Sequence, residues 1–366
     1  MSQPIKSPLA DYHASQGATL REYHGALVPA RFTDPVAEHQ AVREASGLFD
    51  FSFRAKFLVK GRDHIRFLHR LLSNDVKKLS PGQGTYAAFL NTQGHILADL
   101  RLYCAPDGFL LDTDADLCDK AMQGLARYIV GDQVEIAPLE ICALGFQGPR
   151  ARPLLEKTLH IELSASQEFD HFATNYAGHP IRVITASGTG EEGYEVWVAA
   201  RGLEAIWGAA CGQAPTYGTL PCGFEALESL RIEAGIPRYG QELGEDTIPL
   251  EAGLYNALSF TKGCYVGQEI VERARSRGHV NWTLVGLLLD SPLPPHSGEK
   301  LTSEGKEIGE VTSACVSPTL GKTLALAYVR REVSDPGTKL SFPSGAAAEV
   351  TSLPFYQRQP APTPAH

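Results

Sequence analysis

The chain has 366 residues, of which 43% are hydrophobic and 20% charged, a composition typical of a soluble globular protein. Because this length exceeds what one hydrophobic core usually supports, we expect two or three domains. The formal net charge of −9 at pH 7 argues against a general nucleic-acid binder, whose binding domain is usually basic.

The first third of the chain predicts an α/β unit. Its first twenty residues contain no continuous apolar run, so we expect neither a signal peptide nor a membrane span, and a cytoplasmic location. The predicted helices are 35–46, 64–72 and 117–130, and the predicted strands are 57–59, 86–90, 95–103, 109–111 and 134–136. This order indicates an α+β fold with an antiparallel sheet.

Asp99 lies in the second strand of a predicted hairpin, whose turn is formed by residues 91–94. Strand side chains alternate, so Asp99 and Arg101 share one face. If that face lines a cleft, Arg101 lowers the pKa of Asp99 and burial raises it. The alternative is a solvated edge strand in which Asp99 and Arg101 form only a local ion pair. Without the family resemblance, the residues favour this alternative over a cleft.

The next segment predicts a second α/β unit, with strands 143–146, 181–185 and 194–198 and helices 151–159, 203–211 and 223–234. Glu195 and Trp197 share a strand face, where a carboxylate beside an aromatic ring suits a flat heterocycle rich in donors. The alternative is a solvent-facing glutamate. Arg231 is the charged end of an otherwise packed helix face, or an arginine that only extends its head to solvent.

Residues 262–269 read KGCYVGQE, and they place Lys262 two residues before Cys264. A neighbouring cation favours the thiolate, so Cys264 is a candidate for nucleophilic, redox or metal chemistry. The alternative is a buried core thiol. The seven cysteines of the chain include no C-x-x-C pair, which fits a reducing compartment and argues against a zinc or iron–sulfur site built on a local cysteine motif.

Three arginines, Arg273, Arg275 and Arg277, follow at every second position. In an extended segment they point one way and form an anion site, although such charge runs are usually solvated. Beyond residue 283, the short apolar runs 284–289, 307–311 and 324–328 predict a small all-β module. The proline-rich end predicts a disordered tail.

Several motifs together resemble the folate-binding superfamily that contains the glycine cleavage T-protein, an aminomethyltransferase, and the YgfZ-type iron–sulfur cluster maintenance proteins. The shared motifs are 61–63 (GRD), 73–75 (SND), 90–94 (LNTQG), 190–195 (GEEGYE), 230–235 (LRIEAG) and 249–254 (PLEAGL). The KGCYVGQE stretch with the arginines after it is similar to the YgfZ signature, which T-proteins lack.

The resemblance implies two α/β modules interleaved in sequence within residues 1–282, a C-terminal β-barrel at 283–358 and a tail at 359–366, in a cloverleaf arrangement around a central folate pocket. Glu195 and Arg231 match positions that contact tetrahydrofolate, and Asp99 matches the catalytic aspartate of the T-protein. Two departures are Ala98, which replaces the first acid of that motif, and residues 52–54 (SFR), which replace Ser-His-Met.

We therefore expect a tetrahydrofolate-binding protein that supports assembly or repair of [4Fe–4S] enzymes, with iron–sulfur client proteins as partners. Cys264 is its expected reactive thiol, tuned by Lys262, while Tyr265, Arg273 and Arg275 complete the expected folate site. The alternative is a folate-dependent aminomethyltransferase or demethylase that uses Asp99. A third possibility is a non-catalytic folate-sensing scaffold.

Overall fold

The computed structural model describes residues 4–276, 278 and 280–358. The helices are α1 (Ala10–Ser15), α2 (Pro35–Glu44), α3 (His64–Leu71), α4 (Ala115–Ala126), α5 (Ala151–Leu159), α6 (Ala200–Tyr217), α7 (Phe224–Glu233) and α8 (Gln268–Ser276). None of these helices is long and apolar enough to cross a membrane. The predicted disordered tail, residues 359–366, lies outside the described residues.

Twenty strands are described, most of them short. They are β1 (Ile5–Lys6), β2 (Thr19–Tyr23), β3 (Ala26–Arg31), β4 (Ser46–Asp50), β5 (Arg54–Lys60), β6 (Gly84–Leu90), β7 (Ile96–Ala105), β8 (Gly108–Asp114), β9 (Glu135–Leu139), β10 (Cys142–Gln147), β11 (His171–Tyr176), β12 (His179–Thr185), β13 (Gly193–Val198), β14 (Thr219–Pro221), β15 (Trp282–Leu289), β16 (Lys300–Ser303), β17 (Lys306–Ser317), β18 (Lys322–Arg330), β19 (Lys339–Ser341) and β20 (Ala347–Thr351).

Two α/β units are interleaved in the sequence. One sheet has the order β6-β7-β8-β5-β9, and the other has the order β11-β12-β13-β10-β4-β14. Strands β4 and β10 pair antiparallel in the second sheet, although the whole of the first sheet lies between them in sequence. The five-stranded sheet is antiparallel throughout, as predicted. The expected α+β fold with two interleaved units is therefore confirmed.

Side chains of β7 alternate between the two faces of the five-stranded sheet, so that apolar residues lie on one face and polar residues on the other. Ala98, Leu100 and Leu102 are fully buried in a core that α3 and α4 complete. Asp99 and Arg101 point to the other face, where a cavity lies. The same residues that form the sheet core thus fix which polar side chains reach the cavity.

The C-terminal strands close into a barrel with the order β15-β18-β17-β16-β19-β20, which confirms the predicted β-rich module. Val285, Leu287 and Val329 lie in its own core. Ile232 of α7 packs against Leu324 and Leu326 on the outside of the barrel. Helix α7 therefore joins the barrel to the α/β units.

Several predicted elements differ from the structure, such as helix 117–130, which ends at Ala126. Helix α2 begins at Pro35, where Asp34 accepts a hydrogen bond from the Val36 backbone, but it ends at Glu44 because the next residues form β4. The anion site was predicted for an extended arginine run, whereas Arg273 and Arg275 lie in α8. The buried side chain of Val271 anchors this helix, and Arg277 lies outside the described residues.

Candidate functional site

A cavity of about 650 Å³ lies between the two sheets, α7 and the segment after α7. This volume is within the usual range of small-molecule sites. Its apolar lining includes Phe51, Phe53, Phe169, Leu227 and Ile236, and its polar lining includes Arg54, Tyr86, Asp99, Arg101, Asp114 and Glu195. Among the described residues, the barrel contributes nothing to this lining.

Glu195 of β13 lies in the cavity wall and is almost fully buried. Its Oε1 accepts a hydrogen bond from Arg101 Nη1 at 2.7 Å, and its Oε2 accepts one from Trp197 Nε1 at 2.9 Å. Arg101 belongs to β7, so this ion pair joins the two sheets across the cavity. The predicted pairing of Glu195 with an aromatic ring is present, whereas Arg101 was not predicted to be its partner.

Asp99 also lines the cavity, and its Oδ2 accepts a hydrogen bond from the Tyr86 hydroxyl at 3.0 Å. Burial, followed by the nearby Asp114, raises the pKa of Asp99, while Arg54 and Arg101 only partly oppose this increase. Because β7 lies between β6 and β8, the alternative of a solvated edge strand is wrong. A carboxyl group with a raised pKa can carry a proton closer to neutral pH.

Arg54 forms a second charged group at the cavity wall. Its Nε donates to Asp112 Oδ2 at 2.8 Å, and its Nη1 donates to Asp114 Oδ1 at 2.7 Å. Burial tends to raise the pKa of Asp112, but Arg54 and Lys56 lower it overall. Sequence reasoning noted Arg54 only as a departure from the family motif; its signal was a charged residue at the start of an apolar strand.

Arg231 lies at the cavity wall, and both terminal nitrogens of its guanidinium donate to protein groups, whereas its buried Nε has no partner in the described residues. Nη1 donates to Glu242 Oε2 at 2.8 Å, and Nη2 donates to Ser313 Oγ at 2.6 Å and to Glu228. These bonds join α7 to the barrel, and the contact of Arg231 with folate stays a prediction for a residue that lines the cavity. Its partner Ser313 is 82 residues away in sequence, a contact that local patterns do not reveal.

Cys264 is exposed, and it is the only exposed thiol among the seven cysteines, all of which lie within the described residues. It does not line the large cavity. Lys262 Nζ donates to the carbonyl oxygens of His69, Leu72 and Asn74 at 2.5, 2.6 and 2.8 Å. Carbonyl groups take all three N–H donors of Lys262 and leave none for Cys264, so the tuning of Cys264 by the charge of Lys262 stays a prediction.

The buried position of Lys262 has an electrostatic consequence of its own. Desolvation lowers the pKa of its ammonium group to about 8. The ammonium also lies 5.1 Å from the centre of the Tyr265 ring. Lys262 therefore anchors the cysteine loop to the end of α3 and the segment after it.

Tyr265 was predicted to bind folate, but it is buried in a hydrophobic cluster with Leu250, Leu254 and Leu258 and does not line the cavity. Arg273 and Arg275 were assigned to the same site, and they also lie outside the cavity lining. The helical geometry of α8 explains why, because it pairs Arg273 with Glu269 at 2.5 Å, four residues earlier. Arg275 instead covers Phe260, with 4.1 Å from its guanidinium to the ring centre.

The described residues contain no group of three or more histidine, cysteine, aspartate or glutamate side chains arranged to hold a metal ion. The polar groups that meet in the large cavity are instead carboxylates, guanidinium groups and a tyrosine hydroxyl. Such a set has the chemistry to bind a polar heterocycle and to move protons.

Comparisons with known proteins cover nearly the whole chain. A family profile described as "GCVT N-terminal domain" matches residues 9–262, and one described as "Glycine cleavage T-protein C-terminal barrel domain" matches residues 283–357. The chain is 34% identical to an aminomethyltransferase of Geobacillus sp. (strain WCH70), over 96% of this chain and 99% of that protein. It is 33% identical to the aminomethyltransferase of Bacillus subtilis (strain 168), with the same coverage.

The same likeness extends to a solved structure. The fold matches the crystal structure of glycine cleavage system aminomethyltransferase T from Bartonella henselae with a TM-score of 0.90 and 26% sequence identity. The match covers 97% of this chain and 99% of the other.

Proposed function

Because the chain belongs to the family of the glycine cleavage T-protein, we propose that it is a tetrahydrofolate-dependent one-carbon transferase that acts in the cavity between its two sheets. The observation that carries this proposal is Asp99, a carboxyl group of raised pKa that faces the cavity beside the Glu195–Arg101 pair. We also propose that residues 1–282 form the folate-binding region and residues 283–358 a barrel domain.

The chemistry of the cavity lining supports the proposal of a folate ligand. Its aromatic and aliphatic side chains suit the faces of a flat ring, and Glu195 offers acceptors for the N–H groups on the ring edge. Each carboxylate oxygen of Glu195 accepts one protein hydrogen bond and has capacity for a further one. Glu195 is thus our proposed folate-binding residue.

A bound tetrahydrofolate supplies the nitrogen that accepts the one-carbon unit. Asp99 then holds or moves a proton at its carboxylate oxygens, and the Tyr86 hydroxyl orients it. Burial and Asp99 raise the pKa of Tyr86 well above its usual range, so this hydroxyl stays protonated and keeps donating.

The loss of the first acid in the family motif is compatible with this proposal. Ala98 lies on the opposite face of β7 from Asp99 and is fully buried in the hydrophobic core. Its replacement of an acid therefore removes no group from the cavity. The departures at Phe53 and Arg54 do line the cavity and bear on which one-carbon donor it accepts.

The direct test measures folate-dependent release of ammonia from the aminomethyl-lipoyl carrier protein by the purified chain. We expect turnover that requires tetrahydrofolate and that falls steeply in Asp99→Asn. Absence of turnover with saturating tetrahydrofolate would refute aminomethyl transfer. A parallel assay with N-methylated amino acids then identifies or excludes a demethylase.

A second candidate, support of iron–sulfur enzymes, rests on a separate observation. Cys264 is exposed, lies outside the cavity lining and belongs to the KGCYVGQE stretch that is similar to the YgfZ signature. Its partners are then [4Fe–4S] client proteins. The names of the curated relatives support this candidate less than the transferase.

The test of this second candidate is complementation of a strain that lacks its YgfZ-type protein. The native chain should restore iron–sulfur enzyme activity and Cys264→Ala should not. Equal rescue by both chains would remove Cys264 from the proposed role. Rescue by neither would remove the candidate function.

A further inference from the structure

We propose that Arg101 recognises the oxygen at carbon 4 of the folate ring, an inference that rests on the proposed folate site. Arg101 Nη1 donates to Glu195 Oε1 at 2.7 Å, and both side chains line the cavity. The ion pair therefore presents an acceptor beside a donor to any ligand in the cavity. It joins strands of different sheets, so its position is fixed by the backbone of both.

The guanidinium of Arg101 has donors to spare. It carries five N–H groups, and the bond to Glu195 is the only hydrogen bond that it makes to the described part of the chain. Its side chain is 18% exposed, and its nitrogens are not among the buried polar atoms that lack a partner. Its remaining N–H groups are thus open to the cavity that it lines.

The order of these groups matches the edge of a 4-oxo pteridine. That edge presents an amino N–H, a ring N–H and a carbonyl oxygen in sequence, which are two donors followed by an acceptor. Glu195 supplies two acceptors, and Arg101 lies on the Oε1 side because Trp197 occupies the Oε2 side at 2.9 Å. The pair supplies acceptor, acceptor and donor, and so complements the whole edge.

Arg101 consequently discriminates between ligands at carbon 4. A 4-amino analogue places a donor amino group where the folate has an acceptor, and its neighbouring ring nitrogen carries no hydrogen in the neutral form. Two donors would then face each other, and a protonated analogue would place its charge beside the guanidinium. Loss of a hydrogen bond to a charged group weakens binding by roughly tenfold to a hundredfold.

The experiment compares folic acid with 4-aminofolic acid, which differ only at carbon 4, by calorimetric or fluorescence titration. We expect the native chain to prefer folic acid by roughly tenfold to a hundredfold. Arg101→Leu should reduce this preference by roughly fivefold or more, and the part that remains comes from the ring nitrogen that faces Glu195. Arg152→Leu is the matched control, because Arg152 pairs with Glu192 outside the cavity lining and should leave the preference unchanged.

The outcomes separate this inference from the folate proposal itself. If neither compound binds the native chain, the folate site is wrong and this inference fails with it. If the native chain binds both compounds equally, the folate site stands and the role of Arg101 is overturned. The same holds if Arg101→Leu weakens both affinities by one factor and keeps their ratio, which is the result expected of a purely structural residue. Should Arg101→Leu fail to fold, equal binding of the two compounds by the native chain still overturns the role of Arg101.

Discussion

Arg231 offers the sharpest test of structure against sequence, since the sequence predicts a folate ligand and the structure shows an internal ion pair. In Arg231→Met, Glu228 keeps Arg238 as its partner, whereas Glu242 keeps only neutral donors such as Ser313. Glu242 is 1% exposed, so its charge stays buried without a cation. Breaking such a pair costs about 3 to 5 kcal/mol.

That cost is large enough to measure by thermal unfolding. With an unfolding entropy of about 2.1 cal/mol/K per residue over 366 residues, we expect the midpoint to fall by about 4 to 7 °C. Circular dichroism measures this shift, and titration with tetrahydrofolate measures affinity on the same samples. The double variant Arg231→Met with Glu242→Gln removes both charges, and we expect it to recover most of the loss. A variant that unfolds at the native temperature but no longer binds folate would refute the reasoning.

Three further predictions concern other charged or reactive groups. Asp99→Asn should lower the rate of one-carbon transfer by about 10²- to 10⁴-fold while folate affinity changes little; a native rate in a transfer assay would contradict its proton-transfer role. Although burial tends to raise the pKa of Glu233, its partners, first among them His39, lower it to about 2. The ionised Glu233 side chain therefore adds about 3 kcal/mol to the free energy of unfolding at a pH above its ordinary pKa near 4.5, and this contribution is lost as the pH falls towards 2. The free energies of unfolding measured in urea at pH 7 and pH 3 should therefore differ less in Glu233→Gln than in the native chain. Iodoacetamide should label Cys264 before any other thiol of the native protein, and peptide mapping that finds the buried Cys222 first would contradict the exposed loop.

Local sequence signals predicted most of the regular structure. The hairpin of β6 and β7 followed from residues 91–94, where Asn91 and Gly94 close the turn with a backbone hydrogen bond. The alternation of Asp99 and Arg101 followed from strand geometry alone. The short N-terminal strands β1 to β3 were missed, because Pro29 within β3 reads locally as a break in the strand.

The charged side chains were harder to assign, because their partners are distant in sequence. Lys262 suggested a tuned thiol next to Cys264, but its ammonium binds carbonyl groups about 190 residues earlier in the chain. The spacing of the arginines at every second position is compatible with a strand and with a helix. Only the burial of Val271 favours the helix. Glu195 was predicted to contact folate and does line the cavity, whereas the identity of its partner Arg101 depended on how the two sheets face each other.

Because the two sheets are interleaved in the sequence, the order of synthesis limits which strands can pair first. Strand β4 is synthesised before any of its partners, because β10 and β14 begin only at Cys142 and Thr219. The five-stranded sheet, from Gly84 of β6 to Leu139 of β9 with β5 before them, is complete before either partner appears. Domains generally fold as units during synthesis, so this sheet can form first, while β4 waits with unpaired backbone groups. The nascent chain is consequently most prone to wrong strand pairing after residue 139 has been added and before β10 and β14 pair with β4.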